Sequence, residues 1–149
     1  MRIYLAGPFF SPEQIARIEK VEAALRQNPT VDSFFSPRQS DENDAPSAEV
    51  GSPAWAKQIF AKDVAEIDQA DALVVVADYV HANVDSGTAF EVGYGYHAHK
   101  PLIILQELAD EPLNLMIGQA AHYYTQSIAN LATYDFTTLP SNEFTGKTF

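Results

Sequence analysis

ALVVVA, residues 72–77, is six apolar residues without a break. A strand with one wet face alternates apolar and polar side chains. A continuous run belongs to a strand covered on both faces, the usual condition in a parallel sheet. Reading outward from this run finds strands and helices in turn. Upstream, Ser52 and Pro53 give a cap followed by proline at the first helical position, predicting a helix over 54–69. Downstream, 84–87 reads as a turn, a helix follows to about residue 99, and 101–105 is a further strand. At the start, 1–6 is a short strand stopped by Gly7 and Pro8. Ser11, Pro12 and Gln14 then open a helix as N-cap, first-turn proline and capping-box partner. Ile15, Ile18, Val21 and Leu25 of that helix fall on one stripe. A strand over 31–36 ends at Pro37.

Alternating strands and helices imply one α/β domain with a parallel sheet and right-handed crossovers. Such sheets bind ligands at the carboxyl ends of their strands. Here those ends are 7–10, 37–40, 78–87 and 106–116. The polar, acidic stretch 41–51 reads as a loop, long enough for a compact domain to suggest a function. Beyond Met116 the pattern weakens; 127–131 reads as a short helix and the tail to Phe149 as coil.

Bulk properties exclude several functions. The 149 residues suit a single core, and 46% hydrophobic with 19% charged residues is a globular composition. A net charge of −11 without a basic stripe argues against binding a nucleic-acid polymer, which rests on neutralising phosphates. The same charge favours an uncharged substrate. No apolar run suits a membrane span, the start lacks a signal-peptide layout, and a cytoplasmic location is expected. The absence of cysteine removes disulfides, thiolate metal sites and a Cys nucleophile.

Two carboxylates stand where apolar side chains are expected. On the 54–69 helix, with Trp55 at zero, Ile59 lies at about 40°, Ile67 at about 120° and Phe60 at about 140°, and Asp63 falls among them at about 80°. A carboxylate on that stripe is either a buried cap for a neighbouring loop or a proton donor and acceptor facing a cavity. Glu91 lies beside Phe90 and Tyr94, one turn before Gly95. A glycine inside a helix implies that something approaches its backbone. Thr88 and Glu91 also have the spacing of a capping box, which would make Glu91 structural. A first-turn Glu would equally feel the positive end of the helix dipole, favouring an ionised nucleophile.

Other candidates carry less information. Residues 85–88 suit either an anion-binding nest or a turn with an N-cap. His97 and His99 are two apart and point apart on a helix, so they make no metal pair. His81 and His122 stand alone, and no metal or cofactor is expected. Asn114 reads as a loop residue, and Phe9 and Phe10 as core or as an aromatic wall.

Four blocks then resemble a known family. They are IYLAGPFF over 3–10, W-A-x-x-x-F-x-x-D from Trp55 to Asp63, DSGTAFEVGY over 85–94 and PLNLM over 112–116. In order and spacing they are similar to the nucleoside 2-deoxyribosyltransferases. The resemblance implies a flavodoxin-like parallel sheet flanked by helices, substrates that are deoxynucleosides and free nucleobases, and a role in salvage. It also implies a homohexamer whose active sites are shared between chains. Glu91 matches the nucleophile of the family's G-x-x-x-E-x-G block. Asp63 matches the carboxyl group that protonates the departing base. Asp85 matches the carboxylate that holds the sugar hydroxyls together with Asn114 of an adjacent chain. Tyr4 is placed to orient Glu91, and Phe10 and Met116 match apolar walls of the pocket. The C-terminal carboxylate of Phe149 is expected to reach the site, and Gln39 is the counterpart chosen for a base-contacting glutamine.

Two rivals remain. A 2′-deoxynucleoside 5′-phosphate N-hydrolase would use water in place of a second base, but it carries serine where this chain has Asp85. A non-catalytic flavodoxin needs a hydroxyl- and glycine-rich phosphate loop after its first strand. Gly7, Pro8, Phe9 and Phe10 do not supply one.

Overall fold

The computed structural model describes residues 1–39, 46–108 and 110–149. Part of the expected functional loop, 41–45, lies outside the described residues. In chain order the elements are β1 (Arg2–Ala6), α1 (Pro12–Gln27), β2 (Ser33–Phe35), a 3-10 turn (Pro37–Gln39), α2 (Pro53–Gln69), β3 (Ala72–Val76), α3 (Ser86–His97), β4 (Leu102–Leu105), α4 (Leu115–Ala120), β5 (Tyr123–Thr125) and α5 (Ile128–Leu131). All strand pairings are parallel and the order is β2-β1-β3-β4-β5. This is the flavodoxin-like winding, in which the chain reverses direction across the sheet between β1 and β3.

Local chemistry sets the boundaries. Ser11 caps α1 with the full capping box to Gln14, and Ser52 caps α2 by accepting the Trp55 N–H. β3 is buried along its whole length, as its unbroken apolar run requires. Alternation then divides the sheet side chains between two layers. Ile3, Leu5, Val74, Val76, Ile103 and Leu105 pack against α1 and α5. Tyr4, Ala6, Leu73, Val75, Leu102 and Ile104 pack against α2, α3 and α4. Tyr4 therefore faces the same layer as Asp63 and Glu91 because of the pleat alone.

Gly95 is explained by this layer. A Cβ there would lie 2.9 Å from Leu73 Cδ2, so the glycine lets α3 sit down on the sheet. The expected close approach is real, but the approaching group is the core. Asp78, buried just after β3, accepts the N–H groups of Glu107 at 2.7 Å and Leu108 at 2.8 Å, tying together the carboxyl ends of β3 and β4.

Three expectations need correction. The second strand is Ser33–Phe35, not 31–36; it is an edge strand and pairs only with β1. The stretch after Met116 is more regular than its pattern indicates, with α4 and the edge strand β5 both formed. Asn114 is not a plain loop residue but the N-cap of α4, accepting the Met116 N–H at 2.9 Å.

Candidate active site

A cavity of about 590 Å³ opens at the carboxyl ends of β1 and β2, beside the β1–β3 position where the winding reverses. Gly7, Phe9 and Phe10 come to it from the end of β1, and Phe35, Pro37 and Arg38 from the end of β2. α2 contributes Trp55, Ile59, Lys62 and Asp63, while Asp85, Gly87, Thr88 and Glu91 come from the cap and first turns of α3. Three carboxylates thus share one cavity with a largely aromatic and aliphatic wall.

Glu91 is held from below. The Tyr4 hydroxyl, on a side chain with no solvent exposure, donates to Glu91 Oε1 at 2.5 Å. Burial pushes the Glu91 carboxyl up to about 7; the Tyr4 hydrogen bond pulls it down, and Asp63 and Asp85 raise it further. Burial also raises the Tyr4 phenol far above its ordinary range, with Glu91 and Asp63 adding to the effect. The phenol therefore stays the proton donor of the pair.

The capping-box reading of Glu91 does not hold. Asp85 is the N-cap of α3, accepting the Thr88 N–H at 3.0 Å and the Thr88 hydroxyl at 3.3 Å. That makes Thr88 the third helical residue and Glu91 the sixth, a full turn beyond any cap. The expectation that the helix dipole keeps Glu91 ionised is corrected with it: burial is the larger influence, and it favours the protonated form. Residues 85–88 are accordingly a turn with an N-cap.

Asp63 lines the cavity, and among the described residues no hydrogen bond engages its carboxylate. Burial pushes it up to about 6; Lys62 pulls the other way and Glu66 adds repulsion. A half-buried carboxyl group with no partner to cap is suited to exchanging protons with a ligand. Asp85 uses Oδ2 for the cap, and Oδ1 has no partner among the described residues.

The remaining candidates separate. Phe10 lines the cavity and is 66% exposed, stacked on Phe9 with ring centroids 5.3 Å apart. Gln39 is turned from the cavity and donates to Glu22 Oε2 at 2.6 Å. Asn114, Met116 and Phe149 gather around α4, off this cavity. Met116 borders a second groove, of about 270 Å³, with Ala89, Val92, Gly93 and Tyr96. A main-chain carboxylate oxygen of Phe149 accepts the Leu115 N–H at 3.2 Å. Reasoning from sequence passed over Arg38 and Phe35 as wall residues, although Phe35 ends β2 and Arg38 follows Pro37 just beyond it.

Known proteins are similar to this chain in sequence and in fold. The sequence model of the nucleoside 2-deoxyribosyltransferase family matches residues 3–137. A nucleoside deoxyribosyltransferase of Limosilactobacillus fermentum is 35% identical over 109 residues, which span 70% of this chain and 64% of that relative. The solved structure of a 2-deoxyribosyltransferase from Bacillus psychrosaccharolyticus superposes with a TM-score of 0.83 at 36% identity, covering 97% of this chain and 99% of the other. A 2-desoxiribosyltransferase from Leishmania mexicana, at 20% identity and a TM-score of 0.53, covering 99% of this chain and 82% of its own, shares the fold. With residues 3–137, most of the chain, matched by the family's sequence model, the chain belongs to the nucleoside 2-deoxyribosyltransferase family.

Proposed function

We propose that the protein transfers 2-deoxyribose from a deoxynucleoside to a free nucleobase through a covalent bond to Glu91. The observation that carries this reading is the Tyr4–Glu91 hydrogen bond within a cavity that also holds Asp63. A carboxylate fixed by a buried donor presents its second oxygen in a defined direction, as a nucleophile requires.

In the first half-reaction, a Glu91 oxygen attacks C1′ of the sugar on the face opposite the base. The C1′–N bond breaks, and the Asp63 proton goes to the departing base. The product is a glycosyl ester and a free base. In the second half, a nitrogen of the incoming base attacks C1′ from the vacated face and gives its proton to Asp63, and the ester bond breaks to regenerate the Glu91 carboxylate. Two inversions give net retention. Tyr4 orients Glu91. Asp85 holds the sugar hydroxyls with the help of Asn114 of an adjacent chain, and Phe10 and Met116 supply apolar walls. The Phe149 carboxylate completes a neighbour's site. These last roles require an assembly, a homohexamer in this reading, because Asn114, Met116 and Phe149 lie off the cavity of their own chain.

The test is to incubate the protein with deoxyinosine, with and without free adenine, and chromatograph the products. Deoxyadenosine formed only when adenine is present supports transfer. Hypoxanthine released at the same rate with or without adenine, and no deoxyadenosine, overturns transfer in favour of hydrolysis.

A further inference from the structure

Glu22 is a carboxylate on α1 with only 1% of its surface exposed. A buried charge is costly unless donors surround it. Ser36 Oγ donates to it at 2.9 Å, Arg38 Nη2 at 2.7 Å and Gln39 Nε2 at 2.6 Å. All three donors belong to the four residues that follow β2. Glu22 therefore fastens the turn that carries Pro37 and Arg38 into the cavity wall.

Arg38 is not used up by this clamp. Its Nη1 lies 3.5 Å from Glu19 Oε1, and its Nε finds no acceptor among the described residues. A guanidinium has five N–H donors and no acceptor, so what it can select is an acceptor such as a carbonyl oxygen. The strand order puts this turn across β1 from β3, whose following segment carries Asp85 and Glu91. Arg38 and Glu91 line the same cavity, so a base bound there lies within walls that Arg38 helps form.

We propose that Arg38, aligned by Glu22, selects the base by donating to a ring carbonyl oxygen. This rests on the proposed function, which puts a nucleobase in this cavity. Bases with a carbonyl in place of an amino group, hypoxanthine against adenine or uracil against cytosine, gain the contact. Arg38 is then a specificity residue, and Glu22 a positioning residue that acts through it.

Trp55 is the sole tryptophan and lines the cavity, so its fluorescence reports occupancy without any turnover. Each of the four bases is titrated into the native protein and into Arg38→Met. A lost hydrogen bond from a charged donor predicts that hypoxanthine binds on the order of tenfold more weakly, with adenine changing much less. Glu22→Gln is expected to narrow the same preference partway. Arg38→Met leaves buried Glu22 with only the more distant Arg26, whose Nη2 lies 3.7 Å from Oε2, as a paired cation among the described residues. If circular dichroism shows that this variant is unfolded, the Arg38→Met, Glu22→Gln double variant is judged by the same ratio. Equal weakening of both members of each pair, no change in either, or no binding of any base overturns the inference. The deoxyinosine exchange assay on the native protein separates the two readings. Exchange with an unchanged base ratio in the variants sinks the role of Arg38 alone. Base selection lost in the variants, from a native protein that performs no exchange, sinks transfer alone.

Discussion

Tyr4 and Glu91 are 87 residues apart in sequence and 2.5 Å apart in space, the phenol donating to a carboxylate that burial would otherwise keep protonated. The hydrogen bond favours the ionised form and burial the neutral one, so the pair sets how much Glu91 carboxylate exists at neutral pH. Tyr4→Phe removes the favourable influence and leaves the burial. The carboxyl should then titrate above 7, so the rising limb of exchange against pH should move to more alkaline solution. At pH 7 and below the rate is expected to fall to about a tenth of native, and the ratio of variant to native to return toward one near pH 9. A uniform loss at every pH would place the effect of Tyr4 in packing.

Glu91→Gln separates catalysis from stability. The amide oxygen can still accept from Tyr4, so the fold should survive while exchange falls by several orders of magnitude. Its stability should respond to pH in the opposite sense to a salt-bridged acid. An unfolded glutamate ionises near 4.5 and the folded Glu91 near 7. Between those values the unfolded chain has released a proton that the folded chain still holds, so native stability declines as pH rises through the window and levels off above it. Glutamine has no proton to lose. The variant should therefore melt like the native protein at pH 4 and higher at pH 8, by at most roughly 3 kcal/mol in free energy. A variant less stable than native at pH 8 would contradict the burial argument.

Asp63→Asn should alter the other limb. In the proposed mechanism, proton donation to the leaving base needs Asp63 protonated, below about 6, whereas attack needs Glu91 ionised, above about 7. The native profile should be a narrow bell between these two values. The variant should lose the alkaline fall and slow most with bases that leave poorly when unprotonated. A slowdown equal for every base would return Asp63 to a structural role.

Much of this site was legible because local chemistry dictates it. The unbroken β3 run, the Ser11 and Ser52 caps and the Asp63 stripe each follow from a few adjacent residues. The α3 cap shows how local signals compete. Asp85 and Thr88 fit a cap as well as Thr88 and Glu91 do, and the tertiary position of the helix chose the first pair. α4 and β5 escaped notice because they are six and three residues long, too short to display a period. α4 is also crossed by Gly118, whose missing side chain makes room for Phe144. The Glu22 clamp on Arg38 joins α1 to the turn after β2, a pairing that no helical or strand period can reveal.

The separation of Asn114, Met116 and Phe149 from the cavity leads to a prediction about assembly. If these residues serve a neighbour's site, the protein should elute from a sizing column well above its chain mass of 16.4 kDa. Co-expressing Glu91→Gln with Asn114→Ala should restore exchange that neither variant shows alone, since a mixed assembly contains sites with both native residues. A fully active monomer, or variants that never complement, would confine the site to one chain.

Asp85 yields the sharpest discrimination between substrates. Its Oδ2 is committed to the α3 cap, which leaves Oδ1 for a sugar hydroxyl. A 5′-phosphate brought to the same place would set two negative charges against an ionised carboxylate, with Glu91 and Asp63 lining the same cavity. At about 4 Å and an effective dielectric near 20, one such pair repels by roughly 4 kcal/mol. That is a discrimination on the order of a thousandfold, which solvent in the open cavity would reduce and steric exclusion would increase. The opposing cations are limited: Arg38 is already paired with Glu22, and Lys62 lies over the Phe35 ring at 5.4 Å. Deoxynucleosides should therefore react well and their 5′-monophosphates very poorly. Asp85→Ser preserves a side chain able to cap α3 while removing the charge, so it should lower nucleoside turnover and narrow the gap between the two substrates. Measuring kcat/KM for deoxyadenosine and its 5′-monophosphate in both proteins decides the matter: equal turnover by the native protein would remove Asp85 from the sugar site and favour hydrolysis of nucleotides.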